Sequence, residues 1–597
     1  MTEPPEGAAS EPTSAPMPDP TPAAAALRPS APPPANPLRK FGPIWGVALL
    51  LVAVLVAIVV TSGSEDETST PASSTTGSST THEAEPVSLR EGVDMYSVAE
   101  AEGRADDIDW GDRCDTDIGR LKLPLWPQQE CFKPFDGDNG GPTTSGVTAD
   151  EIKVVIYTPQ ADDPVLNYVY AQVGVNDSPD QNFASFEGYA EIFGRYYETY
   201  GRTVTLQRYE ATGPISDSAA AMADAETIAR DLAPFAVIGG PNLTNAFADT
   251  LARNKVICIS CTPLQPAEWY VERAPYVWDV MPNATQALDM VAEYLIKRVA
   301  GRPAEFAGDE ALHRRDRVLG LVRVDSSESS SQLEAYFVDT LRAGGVELAT
   351  IQTYESPTDL AATGKDIITA LKEAGVTSVI FSGDPLAPQA LTQIATQQEY
   401  FPEWILGASS LVDTSLFSQT YDQTQWAHAF GVSPLFVPVR PGTAGAAFLY
   451  EWFFGEPAPS QSVALITGPL QVLFGAIQGI GPDVEPQAFE DVLFSGRVYD
   501  SSPVNPQVSF GDRGFFTVTD YSALDDMVEM WWDPNATEVN ELGREAKGHW
   551  RYVDGGARTL PGQWSPGRSA LFDPAGTVMS YDRAPAGTEM PDYEPLR

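Results

Sequence analysis

The chain has 597 residues, 43% of them hydrophobic, which is enough for a sizeable buried core and more than one lobe. Its 82 acidic residues against 37 basic ones give a net charge of -45, which repels phosphate backbones and argues against nucleic acid as a partner. The acidity keeps the surface soluble and depletes anionic solutes near it, so a neutral or cationic ligand is favoured.

Residues 1–40 are rich in Pro and Ala with few large apolar side chains. Such a segment cannot offset the entropy of ordering and is expected to form a disordered tail. Arg39 and Lys40 then precede an uncharged run over residues 41–63, whose roughly twenty apolar residues suit one transmembrane helix. Arg28, Arg39 and Lys40 flank its start, and Glu65, Asp66 and Glu67 flank its end. That asymmetry predicts a single-pass cell-membrane protein with a cytoplasmic N-terminus and an extracellular remainder. A cleaved signal peptide would have an apolar run of only ~7–15 residues and a small-residue cleavage site. Residues 64–90, rich in Ser and Thr, read as a flexible linker.

Residues 91–145 form a Gly- and Pro-rich extension containing Cys114 and Cys131. Outside the cytoplasm an oxidising setting favours a disulfide between them. No histidine lies near either this pair or Cys258 and Cys261, so neither suits a zinc site, and no metal is expected.

From Glu151 short apolar strands alternate with helical patterns. Strands are expected at Ile152–Ile156, Thr203–Tyr209, Phe235–Ile238 and Val256–Ser260. One helix places Phe186, Tyr189, Ala190, Phe193 and Tyr197 on a face; another carries Met222, Ala225, Ala229 and Leu232; a third starts at an Asn283 cap and runs to Val299. A second series has strands at Val318–Val324, Glu347–Tyr354, Ser378–Phe381 and Glu403–Leu406, with helices between them. The alternation predicts βαβ units, and hence an α/β protein with two parallel Rossmann-like sheets. Helices within 445–480 would return to the first lobe. The expected division is a binding domain over residues 146–526, with lobe 1 at about 146–284 and 440–500 and lobe 2 at about 285–439 and 501–526. The Trp-, Gly- and Pro-rich residues 527–597 read as an irregular C-terminal extension.

Several residue runs carry a family resemblance. Gly146–Val154 looks like an opening strand, Val237-Ile238-Gly239-Gly240-Pro241 like a first ligand loop and Val256–Ser260 like the strand after it. Tyr276–Pro282 is similar to a crossover into a second lobe, and Ser378–Pro385 to a later strand and ligand loop. In this order they resemble the type I periplasmic-binding proteins, the leucine/isoleucine/valine-binding-like solute receptors of ABC importers, in a membrane-anchored form of Gram-positive type. The resemblance covers roughly two-thirds of the chain. It implies a two-lobed receptor for a small polar molecule (an amino acid, amide or similar), with an ABC permease as partner, no cofactor and no catalysis. The alternative is an anchored extracellular sensor or scaffold that is not coupled to transport.

In open α/β sheets ligands bind beyond the carboxyl ends of the strands, where helix N-termini offer free N–H groups. That rule and the resemblance select ten residues. From lobe 1 they are Pro241, Asn242, Thr244, Cys261 and Thr262; from lobe 2, Asp325, Ser327, Ser329, Asp384 and Ser409. Asp384 or Asp325 would pair a ligand's amino group, because Ser409 stands where amino-acid binders of the family carry an acid; the other reading of each is a solvated loop charge or a helix cap. A straight strand through Ser260 would place Cys258 and Cys261 about 10 Å apart. Their disulfide therefore requires a sharp turn at Ser260, and the sequence leaves bond and free thiols both open. No G-x-S-x-G, H-E-x-x-H, Walker A or G-x-G-x-x-G pattern occurs, and no histidine has an evident nucleophile partner, so no enzyme is expected.

Overall fold

A computed structural model describes residues 93–597, apart from 242, 263, 326–328, 441 and 443. The expected tail, span and linker lie outside the described residues, as do Asn242 and Ser327. Among the described residues no helix is long and apolar enough to cross a membrane.

The described residues begin with a helix, Tyr96–Ala101, and a small hairpin of β1 (Cys114–Asp115) and β2 (Arg120–Leu121). Cys114 and Cys131 are disulfide-bonded. This extension is part of the first lobe rather than an appendage. Leu121, Leu123 and Leu125 join the first-lobe core, Arg113 pairs with Glu198, and the buried Arg202 guanidinium donates to the carbonyls of Asn139 and Gly141 at 3.0 and 2.9 Å.

The first parallel sheet contains β3 (Glu151–Thr158), β4 (Thr203–Glu210), β5 (Ala236–Ile238), β6 (Ile257–Ile259) and β7 (Val277–Trp278), in the order β4-β3-β5-β6-β7. Helices cover both faces, so β3 buries a continuous run from Val154 to Thr158 instead of alternating. The helix Pro179–Tyr196 begins on a capping box of Ser178 with Gln181 and buries Tyr189, Ile192, Phe193 and Tyr196 at helical spacing. Met222 departs from its expected buried face and is 40% exposed; in that short helix, Ala221 and Ala225 make the contact instead.

Asn283 caps a helix as the sequence suggests, through a capping box with Gln286. That helix, Ala284–Tyr294, continues as a wider turn over Leu295–Val299 and leads into the second sheet. Here β8 (Leu319–Val324), β9 (Leu348–Tyr354), β10 (Ser378–Ser382), β11 (Glu403–Leu406) and β12 (Ala429–Ser433) are parallel. The chain then returns to the first lobe, where helices Gly445–Phe454, Ala464–Ile480 and Pro486–Ser495 pack into its core.

Two expectations are corrected. Residues 501–526, expected in lobe 2, lie with lobe 1: Phe510 and Tyr521 belong to its core, with ring centroids 5.6 and 4.8 Å from Trp278. Residues 527–597, expected to be irregular, supply β13 (Met527–Val539), β14 (Glu545–Tyr552) and β15 (Arg558–Thr559). β13 lies antiparallel on β12 and β14 antiparallel on β13, which extends the second sheet to the order β14-β13-β12-β11-β10-β8-β9. Pro534 disguises β13 as a loop. It sits where the pairing shifts register between Asp533 and Thr537, and a bulge is a position where a strand tolerates proline. The tryptophans are core residues: Trp532 and Trp550 pack 5.3 Å apart, and Trp550 lies 6.2 Å from Trp426.

Among the described residues the chain therefore crosses between the lobes three times before its C-terminal segment. Two crossings are tied together: Asp279 N–H donates to Tyr521 O at 3.0 Å, and Ala523 N–H donates to Asp279 O at 3.1 Å. After β15 the chain runs back as a strap. Trp564 and Leu571 are in the second-lobe core, Tyr581 bridges to Val439, and Tyr593 reaches the first lobe, where Trp452 Nε1 donates to its carbonyl at 2.7 Å.

Candidate ligand site

Residues at the carboxyl ends of the strands meet their own chain first. Thr244 Oγ1 accepts from Ala246 N–H at 3.2 Å and lies 2.7 Å from Ser218 Oγ. Thr262 donates to Asn245 Oδ1 at 3.4 Å and is buried, as is Pro241. Cys261 is bonded to Cys258. Ser260 supplies the turn that this bond requires, at φ +55°; non-glycine residues seldom adopt that left-handed geometry. Gly240 is needed beside it, since a Cβ there would stand 2.5 Å from Cys261 O.

In lobe 2, Asp384 is fully buried. Its Oδ1 accepts from the N–H groups of Leu386 and Ala387 at 2.8 and 2.9 Å, and its Oδ2 accepts from Tyr354 Oη at 2.5 Å. Burial raises its pKa, and these hydrogen bonds oppose the rise. Of the readings open to Asp384, ligand counter-charge, solvated loop charge or helix cap, the structure places it as a helix cap with its oxygens already engaged. Asp325 is paired with Arg323 at 3.2 Å and keeps its side chain 41% exposed. Ser329 stands at the N-cap of the helix Ser330–Ala343. Ser409 donates to Phe381 O at 2.7 Å, and Gly383 N–H reaches its Oγ at 3.4 Å.

The structure thus brings Asp384 and Ser409 onto adjoining loops, and Thr244 and Thr262 onto another pair. Ser409 also lines a crevice of about 30 Å³ between the lobes, facing Leu264 and Met281; that is room for about one water molecule. Asp413 shares this crevice, and burial raises its pKa to about 6.

Met281 and Pro434 also line a far larger space. It measures about 2330 Å³ and is walled by both lobes, the crossings, the extension and the strap. Trp126, Phe448 and Gly475 line it from the first lobe, and Trp550 and Glu541 from the second. This chamber is not legible in the sequence, because part of its wall comes from segments that read there as an extension and an irregular tail. Their richness in tryptophan was the available signal. Among the described residues no cluster of three His, Cys, Asp or Glu could hold a metal ion.

The lobes also touch across the cleft mouth. Arg544, at the tip of the β13–β14 hairpin, donates to Val173 O and Gly174 O at 3.2 and 2.8 Å, capping the C-terminus of the helix Pro164–Val173. Glu541 anchors the same tip on lobe 2 by accepting from the N–H groups of Ser415 and Leu416 at 2.6 and 2.8 Å, and burial raises its pKa to about 7.

No family model and no curated protein matches the sequence. Among solved structures, the chain is similar to a solute-binding protein of an ABC transporter from R. palustris in complex with 4-hydroxybenzoate, at 14% identity and a TM-score of 0.45, covering 67% of this chain and 97% of that one. It is similar to a branched-chain amino acid transporter substrate-binding protein from Streptococcus pneumoniae in complex with isoleucine, at 12% identity and a TM-score of 0.43, covering 68% and 100%. A type 1 periplasmic binding protein from Bordetella pertussis matches at 13% identity and a TM-score of 0.44, covering 67% and 100%. The solved structures named here are thus described as a solute-binding protein of an ABC transporter, a substrate-binding protein of a branched-chain amino acid transporter and a type 1 periplasmic binding protein.

Proposed function

We propose that the chain is an outward-facing solute receptor that holds its ligand between two lobes and delivers it to an ABC importer. One observation carries the reading. Two separate sheets, each built on five parallel strands, are joined by three crossings, two of them hydrogen-bonded to each other at Asp279. Such a joint lets the lobes rotate, and a ligand that touches both favours the closed form by its differential affinity. The run over residues 41–63, with Arg39 and Lys40 before it, supports anchoring by one membrane helix.

The test is a thermal-shift screen of the full chain against amino acids, amides, polyamines, small acids and aromatic acids, followed by scattering with each hit. A hit that lowers the radius of gyration supports the reading. A bound hit that leaves it unchanged moves the site out of the inter-lobe space. For the anchor, the protein should resist a high-salt wash of membranes; a mature N-terminus after Thr61 would show cleavage and end that part.

A further inference from the structure

We infer that the joint between the lobes is locked by a proton held between Asp520 and Asp525, and that loss of this proton as the medium turns alkaline frees the lobes to rotate. The device goes beyond the receptor reading, because it belongs to the crossings and needs no ligand.

Placement is the first argument. Asp520 and Asp525 lie where the chain passes from Tyr521, in the first-lobe core, to β13 of the second sheet. Both are buried. Asp279 and Ser522 form a parallel bridge that fastens this passage to the first crossing. Arg558 fastens it to the middle crossing: Nε donates to Asp526 Oδ1 at 2.8 Å, and the other two nitrogens donate to Leu435 O and Pro434 O at 2.6 and 2.8 Å. The two carboxyl groups therefore sit in the segment to which both other crossings are tied.

Hydrogen bonding is the second argument. Asp520 lies within hydrogen-bonding reach of Asp525. Asp520 Oδ1 accepts from Ser522 N–H at 2.7 Å, and Asp525 Oδ2 accepts from Ser509 Oγ at 2.6 Å and Gln507 Nε2 at 3.3 Å. Asp525 Oδ1 is buried and meets no donor among the described residues. A buried acceptor without a donor is destabilising, and two carboxylates in one buried site repel until one keeps its proton. A proton between them answers both conditions.

Charge is the third argument. The nearby cations are engaged elsewhere: Arg558 pairs with Asp526, and Arg513 donates to the carbonyls of Phe510, Phe494 and Gly496. The other titratable neighbours, Tyr270 and Asp279, are hydrogen-bonded to each other at 3.3 Å. Burial raises the Asp520 pKa from 3.8 to about 8, and burial together with the Asp520 charge holds Asp525 well above the usual carboxylate range. The packed joint thus holds its protons more tightly than a solvated one. Their contribution is complete below about pH 4 and is lost as pH rises through about 8.

The test uses the full chain with spin labels at Met222 and Val539, exposed on different lobes, and infrared difference spectra of the unlabelled chain between about pH 6 and about pH 9. In wild-type protein a protonated-carboxyl band should fade at the higher pH, and the label distance distribution should widen about twofold. Asp520→Asn and Asp525→Asn each give the remaining acid an amide donor in place of the proton. Both should diminish the band change and keep a narrow distribution at both pH values. Asp279→Asn should widen as wild type does. A wild-type distribution that stays narrow at about pH 9, or a band change unaltered in the two pair variants, overturns the lock. Equal widening in the pair variants would assign the effect to another acid and overturn it as well. If neither pair variant folds, Asp279→Asn decides: widening retained supports the pair, and widening lost moves the switch to Asp279.

Discussion

Asp279 carries more than its place in the crossing. Its Oδ1 accepts from Val280 and Met281 N–H at 2.8 and 3.1 Å, yet complete burial raises its pKa from 3.8 to about 7. The folded protein holds this proton more tightly than the unfolded chain. Its contribution to stability is therefore present below about pH 4 and is lost as pH rises toward 7. Asp279→Asn keeps the acceptor and removes the charge. It should stabilise the protein at pH 8 by about 2–4 kcal/mol, a gain that fades by about pH 4; denaturant unfolding at both pH values measures it. Asp384 behaves differently, because its carboxylate satisfies two helix N–H groups and Tyr354. Asp384→Ala should cost about 2–3 kcal/mol of stability. In the same melts, a loss below about 0.5 kcal/mol would show that the cap is dispensable.

Among the elements, the extension and the hairpin alter what the two-sheet fold can do. The extension is held by Cys114 and Cys131, 17 residues apart. A loop of that length corresponds to about 3 kcal/mol of constraint on the unfolded chain. Reducing it, or Cys114→Ser with Cys131→Ser, should raise hydrogen exchange over 93–135 well before the sheets respond, since a locally tethered segment opens first. Uniform exchange across the lobe would indicate that the extension unfolds only with its core. Peptide mapping without reductant should find both disulfides. The β13–β14 hairpin adds two strands to the edge of the second sheet and carries Glu541 and Arg544 to the cleft mouth.

For the whole molecule, the lobes are joined by three crossings, by the strap and by Arg544. The guanidinium contact with the carbonyls of Val173 and Gly174 is the part that a single substitution removes. Arg544→Ala should leave the thermal transition within about 1 kcal/mol of wild type while broadening the distance between spin labels at Met222 and Val539, which are exposed on different lobes. An unchanged distance distribution would mean that the crossings and strap alone set the angle between the lobes.

The apolar runs at Val154–Ile156 and Val237–Ile238, the Asn283 cap and the strand–helix alternation were enough to derive two parallel sheets. Each depends on contacts a few residues apart, or on burial on both faces, which patterning records directly. The turn at Ser260 was recognisable as a condition on the Cys258–Cys261 bond, and the structure meets it. What residues far apart do together was not legible. Pro534 hid a strand whose partner is a hundred residues earlier. Asp384 reads in sequence as a ligand's counter-charge, a loop charge or a helix cap, and Tyr354, thirty residues before it, is what takes its second oxygen. The chamber is assembled from Trp126, Gly475 and Trp550, and one-dimensional patterning has no signal for a space bounded by three distant segments. The sequence by itself determined the class of fold, because local periodicity encodes strands and helices. Only the tertiary structure decided which polar groups are already satisfied and where room for a ligand remains, because both depend on neighbours brought together by folding.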